Sequence, residues 1–255
     1  MPSDPLDSDE LARGEATDPR LDHPWAVWAT FRGMKTWLFR QETPPTLRHL
    51  RFAVRLLRMM TLMGAIAAVS VTASVAGMGF EMAMDAAGAN WPFKGLGLML
   101  LPGVWFGLFV LVPLSRWQGR NWWLTVPAVA ISTGIYWCAV LAFLQFMPIM
   151  SSGPDKSWPL AGLAAGTVGG LGLAVWMNPP WSRRAALVIV ASTIAGIIGG
   201  SSFAFLFHHE PRAGWLPEPV ARLLAMFAMF GPFQCGVAMA LGWRLVESDS
   251  LHTGD

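Results

Sequence analysis

Six long apolar runs, each almost free of charge, constrain this chain more than any other feature. They lie at about Met59–Phe80, Gly95–Leu114, Trp122–Met147, Trp158–Met177, Ala185–Phe207 and Pro219–Trp243. At about 1.5 Å of rise per residue, each is long enough to cross about 30 Å of hydrocarbon as a helix. The expected fold is therefore all-α: a polytopic membrane protein with six transmembrane helices. Composition points the same way, since only 13% of the residues are charged, against about a quarter in a soluble domain. Most of the surface is expected to face lipid.

The rest of the chain divides by composition. Residues 1–23 hold the carboxylates Asp4, Asp7, Asp9, Glu10, Glu15, Asp18 and Asp22 and few large apolar side chains. Such a segment cannot bury enough surface to offset chain entropy, and a disordered acidic tail is expected. Residues 24–45 begin with "PWAVWATFRGMKTWLFR". This stretch is too short and too charged to span. Placed on a helix, Val27, Trp28, Phe31, Met34, Leu38 and Phe39 form one arc, and Arg32 and Arg40 lie opposite. An amphipathic helix in the membrane interface follows, anchored by Trp25, Trp28, Phe31 and Leu38. The same face would also suit docking on the protein's own bundle. "ETPPT" then breaks the helix. Residues 46–244 form the six-helix domain, and residues 245–255 a short cytoplasmic tail. The acidic start offers no cleavable secretory signal, so the first span is expected to do the targeting.

Orientation follows from arginine. Arg48, Arg51, Arg55 and Arg58 precede the first span, Arg116 and Arg120 follow the second, Arg183 and Arg184 follow the fourth, and Arg244 follows the sixth. The opposite side has Lys94, Lys156, Arg212 and Arg222. The positive-inside rule puts both termini in the cytoplasm, with the amphipathic helix on the cytoplasmic leaflet. The expected location is the bacterial cytoplasmic (inner) membrane. "PLSR" and "PWSR" at the inner ends of the second and fourth spans predict helix stops, with serine capping the next helix.

Glycine carries the clearest pattern. Gly162, Gly166 and Gly170 recur every fourth residue, as do Gly196 and Gly200, and Gly103 and Gly107. At this spacing small residues share a helix face and let two backbones approach. Static packing or a sliding interface would both use it. Ser132, Thr133 and Tyr136 cluster on about one helical turn, and Gln234 lies in "FGPFQCG". Together they are the candidate polar path.

Several function classes are disfavoured. No carboxylate, lysine or histidine lies deep in a span, as proton relays and ion pathways usually require. There is no G-x-x-x-x-G-K for nucleotide hydrolysis. A net charge of +2 gives no argument for nucleic acid. Cys138 and Cys235 differ in depth by roughly 12 Å, too far for a disulfide. His208, His209 and Glu210 are the only ligand-like cluster, but adjacent residues on a helix point apart and chelate poorly. No catalytic, cofactor or metal set is assigned.

At the level of architecture, six spans after an amphipathic cytoplasmic helix, with both ends inside, resemble the permease half of an exporter of the ABC-2 type. The resemblance implies a dimer powered by a separate ATPase. "HHEPRAGWLPE" departs from it, being short where such permeases carry a long segment between their last two spans. The alternative is a non-transporting accessory or assembly subunit of a larger membrane complex. Either reading implies the lipid bilayer and other membrane subunits, or self-association, as partners.

Overall fold

A computed structural model describes residues 48–88, 95–118, 120–148, 157–178, 183–209 and 217–250. The acidic tail and the interfacial helix fall outside them. Every element among the described residues is helical.

Helix α1 (Arg48–Ala86) has 39 residues. It exceeds the apolar run Met59–Phe80 at both ends because no proline lies between Arg48 and Ala86 to stop it. Its length of about 58 Å carries it past both faces of a bilayer core. Gly88, at φ 70°, ends it in the left-handed region, where a residue without Cβ is unstrained. Helix α2 (Leu96–Phe106) starts beside it. The Glu81 carboxylate of α1 accepts a hydrogen bond from the Gly95 N–H, placing a negative charge at the positive end of α2.

The second span is irregular. Helix α2 contains Pro102 and runs into a π-helical segment, Gly107–Leu111, then into α3 (Val112–Trp117). "PLSR" does lie at the inner end of this span, which stops at Trp117, but the helix runs through Pro113 rather than stopping at it. Pro113 sits at the start of α3, where the wider π turn displaces the carbonyl its ring would strike in a regular helix. Nor does Ser115 cap the next helix; its hydroxyl donates to Val112 O at 2.9 Å.

A short 3-10 turn, Trp122–Leu124, leads into α4 (Thr125–Phe146). Pro127 falls in the first turn of α4, where a missing N–H costs no helical bond. Helix α5 (Trp158–Met177) is capped by Ser157, which accepts from Leu160 N at 3.3 Å. Helices α6 (Arg183–His209) and α7 (Glu218–Ser250) complete the set. Helix α7 contains Pro232 and continues beyond Trp243, where the apolar run ends.

Each span packs on its neighbours in sequence, and α1 packs on α7, so α1, α2, α4, α5, α6 and α7 close a ring. Val71, Val75 and Met78 of α1 meet Phe230 of α7 in its core, with Tyr136 and Phe203 packed against them. Outward-facing side chains such as Val69, Leu108, Leu141, Leu163, Val190, Ile194, Ile198 and Leu224 are exposed. Large apolar side chains exposed on every span suit lipid, not water. Six of these helices are long and apolar enough to cross a membrane, as a multi-pass integral membrane protein requires.

Candidate functional site

The closest helix pair is α5 on α6. A Cβ at Gly162 would lie 2.5 Å from Gly200 O, and one at Gly166 would fall on Gly196 O. One at Gly170 would fall on Ser192 O. Residue numbers rise by four on α5 as they fall by four on α6, the signature of antiparallel packing in register. Reciprocally, a Cβ at Gly196 or Gly200 would strike Gly166 O or Gly162 O. The structure thus places all five of these glycines at one backbone-on-backbone contact. Ser192 extends it, donating from its buried Oγ to Gly170 O across the pair at 3.0 Å. That serine replaces the glycine that the spacing would require on α6, so spacing alone does not reveal it.

Two further glycines were missed by the four-residue rule. A Cβ at Gly199 would meet the Phe233 backbone, and one at Gly169 would lie 2.6 Å from the tip of the Phe233 ring. The doublets Gly169-Gly170 and Gly199-Gly200 serve two faces. The second glycine of each admits the partner in the α5–α6 pair, and the first admits Phe233 of α7. The doublet itself is the sequence signal for a third helix.

Gly103 and Gly107 lie against α4. Their Cβ positions would be 2.8 Å from Thr133 Cα and 2.8 Å from Val129 Cα. This close approach holds the irregular second span on α4 at the polar cluster. Ser132, Tyr136 and Gln234 line one small cavity of about 10 Å³, together with Pro102, Gly103 and Phe106. Thr133 is not part of this lining; its hydroxyl donates to Val129 O at 2.8 Å. Ser132 and Gln234 are each only 2% exposed.

Gln234 Oε1 is buried without a hydrogen-bond partner, as is Ser70 Oγ on α1. Gly64 faces Met239, and Gly79 faces Leu223, so Ser70 sits near the level of Phe233 on the packed α1–α7 pair. Two unsatisfied polar atoms thus share one depth in the ring. The small cavity is about large enough for one water molecule.

Most other hydroxyls in the spans bond their own helix. Thr61, Thr72, Ser74, Thr193 and Ser202 each donate to the carbonyl four residues back, at 2.7–2.9 Å, as hydroxyls within helices often do. His208 stacks on Trp158 at 5.1 Å, and His209 stacks on Phe205 at 4.3 Å. Glu210 lies outside the described residues, and among those described no group of three histidine, cysteine or acidic side chains is positioned for a metal. Cys138 and Cys235 are free thiols.

Arg120 has a role that orientation counting does not reveal. Its guanidinium donates to Met177 O at 2.7 Å and lies 5.3 Å from the Trp176 ring centroid. It satisfies a carbonyl at the end of α5 and sets a cation at the negative end of that helix. The segment between α3 and α4 is thereby tied to α5. Comparison of the chain with protein-family models, curated proteins and solved structures returns no match.

Proposed function

We propose that this chain is a membrane-embedded accessory or assembly subunit, oriented with both termini in the cytoplasm, that organises other membrane proteins by helix contact. One observation carries the reading: apart from unsatisfied atoms such as Gln234 Oε1 and Ser70 Oγ, most hydroxyls in the described spans are consumed by their own helix. Hydroxyls donate to carbonyls of their own helix, and the polar cluster around Gln234 encloses only about 10 Å³. A backbone-tight α5–α6 pair is suited to a fixed scaffold, because any sliding would drive carbonyls into Cα atoms. The exposed apolar side chains then serve lipid and partner helices alike.

A second reading, the permease subunit driven by a separate ATPase, is favoured by a different observation. Pro102, the π segment and Pro232 are the irregular points of two spans. Pro102 and Gln234, two residues beyond Pro232, both line the polar cavity. Helices bend at such points, and a bend there would widen the cavity. Purification from native membranes in mild detergent separates the two readings. The accessory reading expects integral membrane partners in fixed stoichiometry. Recovery of a soluble nucleotide-hydrolysing subunit, with nucleotide-dependent transport after reconstitution, would overturn it in favour of the permease.

A further inference from the structure

An apolar cavity lies within the bundle, and neither reading of function uses it. It measures about 160 Å³ and is lined from α4, α5, α6 and α7. Tyr136 and Phe233 form its deep end and also line the small polar cavity. Along α4 its lining runs from Tyr136 to Met147, about 16 Å of helix. At the other end lies Phe207, which is 39% exposed, so the cavity reaches the surface there. Trp158 stands at that rim, 5.6 Å from Phe207 and 5.1 Å from His208 between ring centroids.

We propose that this cavity binds the hydrocarbon chain of a membrane amphiphile, with the polar head at the Trp158–His208 rim. Four considerations specify that occupant. The walls are aromatic and aliphatic: Phe143, Phe203 and Phe230 contribute ring faces and edges, with Phe143 and Phe203 5.2 Å apart edge to face. Water is a poor occupant, because an apolar cavity of about 150 Å³ stays dry yet accepts a benzene-sized solute. In a bilayer, hydrocarbon chains are the apolar solute at highest concentration, and mass action favours them. The rim completes the match, since tryptophan and histidine rings suit the zone where a head group meets its chain.

A phospholipid and a free fatty acid offer the same chain, and the test distinguishes them. The full-length protein is placed in lipid nanodiscs. One arm contains a phospholipid with a photoactivatable diazirine near the end of one acyl chain; the other contains a free fatty acid with the same group. After illumination, adducts are mapped by mass spectrometry. Adducts are expected on Val140, Phe143 and Phe203 in excess of those on the outward-facing Leu163, Ile194 and Ile198. The arm that gives this excess identifies the source.

Ala165→Phe, which places a ring in the cavity, should reduce the cavity adducts by roughly tenfold, the change that about 1.4 kcal/mol of weakened binding gives. Labelling of Leu163 and Ile194 should be unchanged. Val140→Phe fills the cavity from α4 and serves if Ala165→Phe does not fold. Labelling of cavity residues no stronger than that of outward-facing residues in both arms would overturn the proposal. So would undiminished cavity labelling in a folded filling variant. Partner identity does not enter this measurement, so it stands apart from the subunit reading.

Discussion

Gly166 shows how much a single position can decide. A Cβ there would fall on Gly196 O, and the backbone of a packed helix cannot yield as a flexible side chain can. Gly166→Leu should therefore separate α5 from α6 and lower stability by about 1–3 kcal/mol, the usual range for overpacking. A change at the exposed Leu163 on the same helix, Leu163→Ala, should cost much less. Thermal unfolding of the purified variants in detergent makes the comparison. Equal midpoints for Gly166→Leu and wild type would show that this face meets lipid. Ser192→Ala tests the cross-helix bond to Gly170 O. Its loss should cost about 0.6 kcal/mol and at most about 1.7, the range for such bonds within membranes, read from the same midpoints.

These glycines could be read from spacing because a four-residue repeat fixes a helix face whatever the neighbours are. Gly169, Gly199 and Ser192 could not, because their meaning depends on which third helix arrives and in what register. Gln234 was legible as a candidate from its motif. The sequence groups it with Ser132, Thr133 and Tyr136; that Thr133 stays out of the cavity lining depends on how α7 meets α4 across the ring.

At the scale of elements, apolar length identified six helices, but local breakers misled at one of them. Pro113 reads as a stop, yet the second span continues through it to Trp117 because the π segment removes the steric conflict. The start of α1 was misplaced for the converse reason: a run of arginines marks an interface but does not end a helix. Arg120 links two elements, so its effect belongs here. Arg120→Ala would leave Met177 O without its donor and should cost about 0.3–1 kcal/mol, the range for a cation at a helix C-terminus. Arg120→Lys should recover part of that loss. Guanidinium titration of tertiary structure in detergent would read both; identical midpoints would show that the loop contact contributes nothing. The proposal that residues 24–45 form an interfacial helix yields a further prediction. Changing Phe31 and Leu38 to aspartate should then raise protease access at Arg32 and Arg40 in inside-out vesicles, since burial of two such apolar anchors in the interface would be worth about 1.5–3 kcal/mol each. Free cleavage of both sites in the wild type would mean that the segment is a solvated linker.

For the whole molecule, the ring explains why the hydrophobic pattern is so even. Each span has two neighbours and one lipid-facing side, so no span is apolar on a single stripe. Ring closure by α1 on α7 was not legible in the sequence, because no motif pairs the first helix with the last. Closure between neighbours in antiparallel order does require that the chain cross the bilayer an even number of times. Together with the arginine distribution, it supports the proposal that both termini face the cytoplasm. Reporter fusions after Leu114, after Met177, near Asp155 and at each terminus measure this directly. Cytoplasmic signals are predicted at both termini, after Leu114 and after Met177, with an external signal near Asp155. Termini on opposite sides of the membrane, or an external signal after Leu114 or Met177, would contradict the six-span ring.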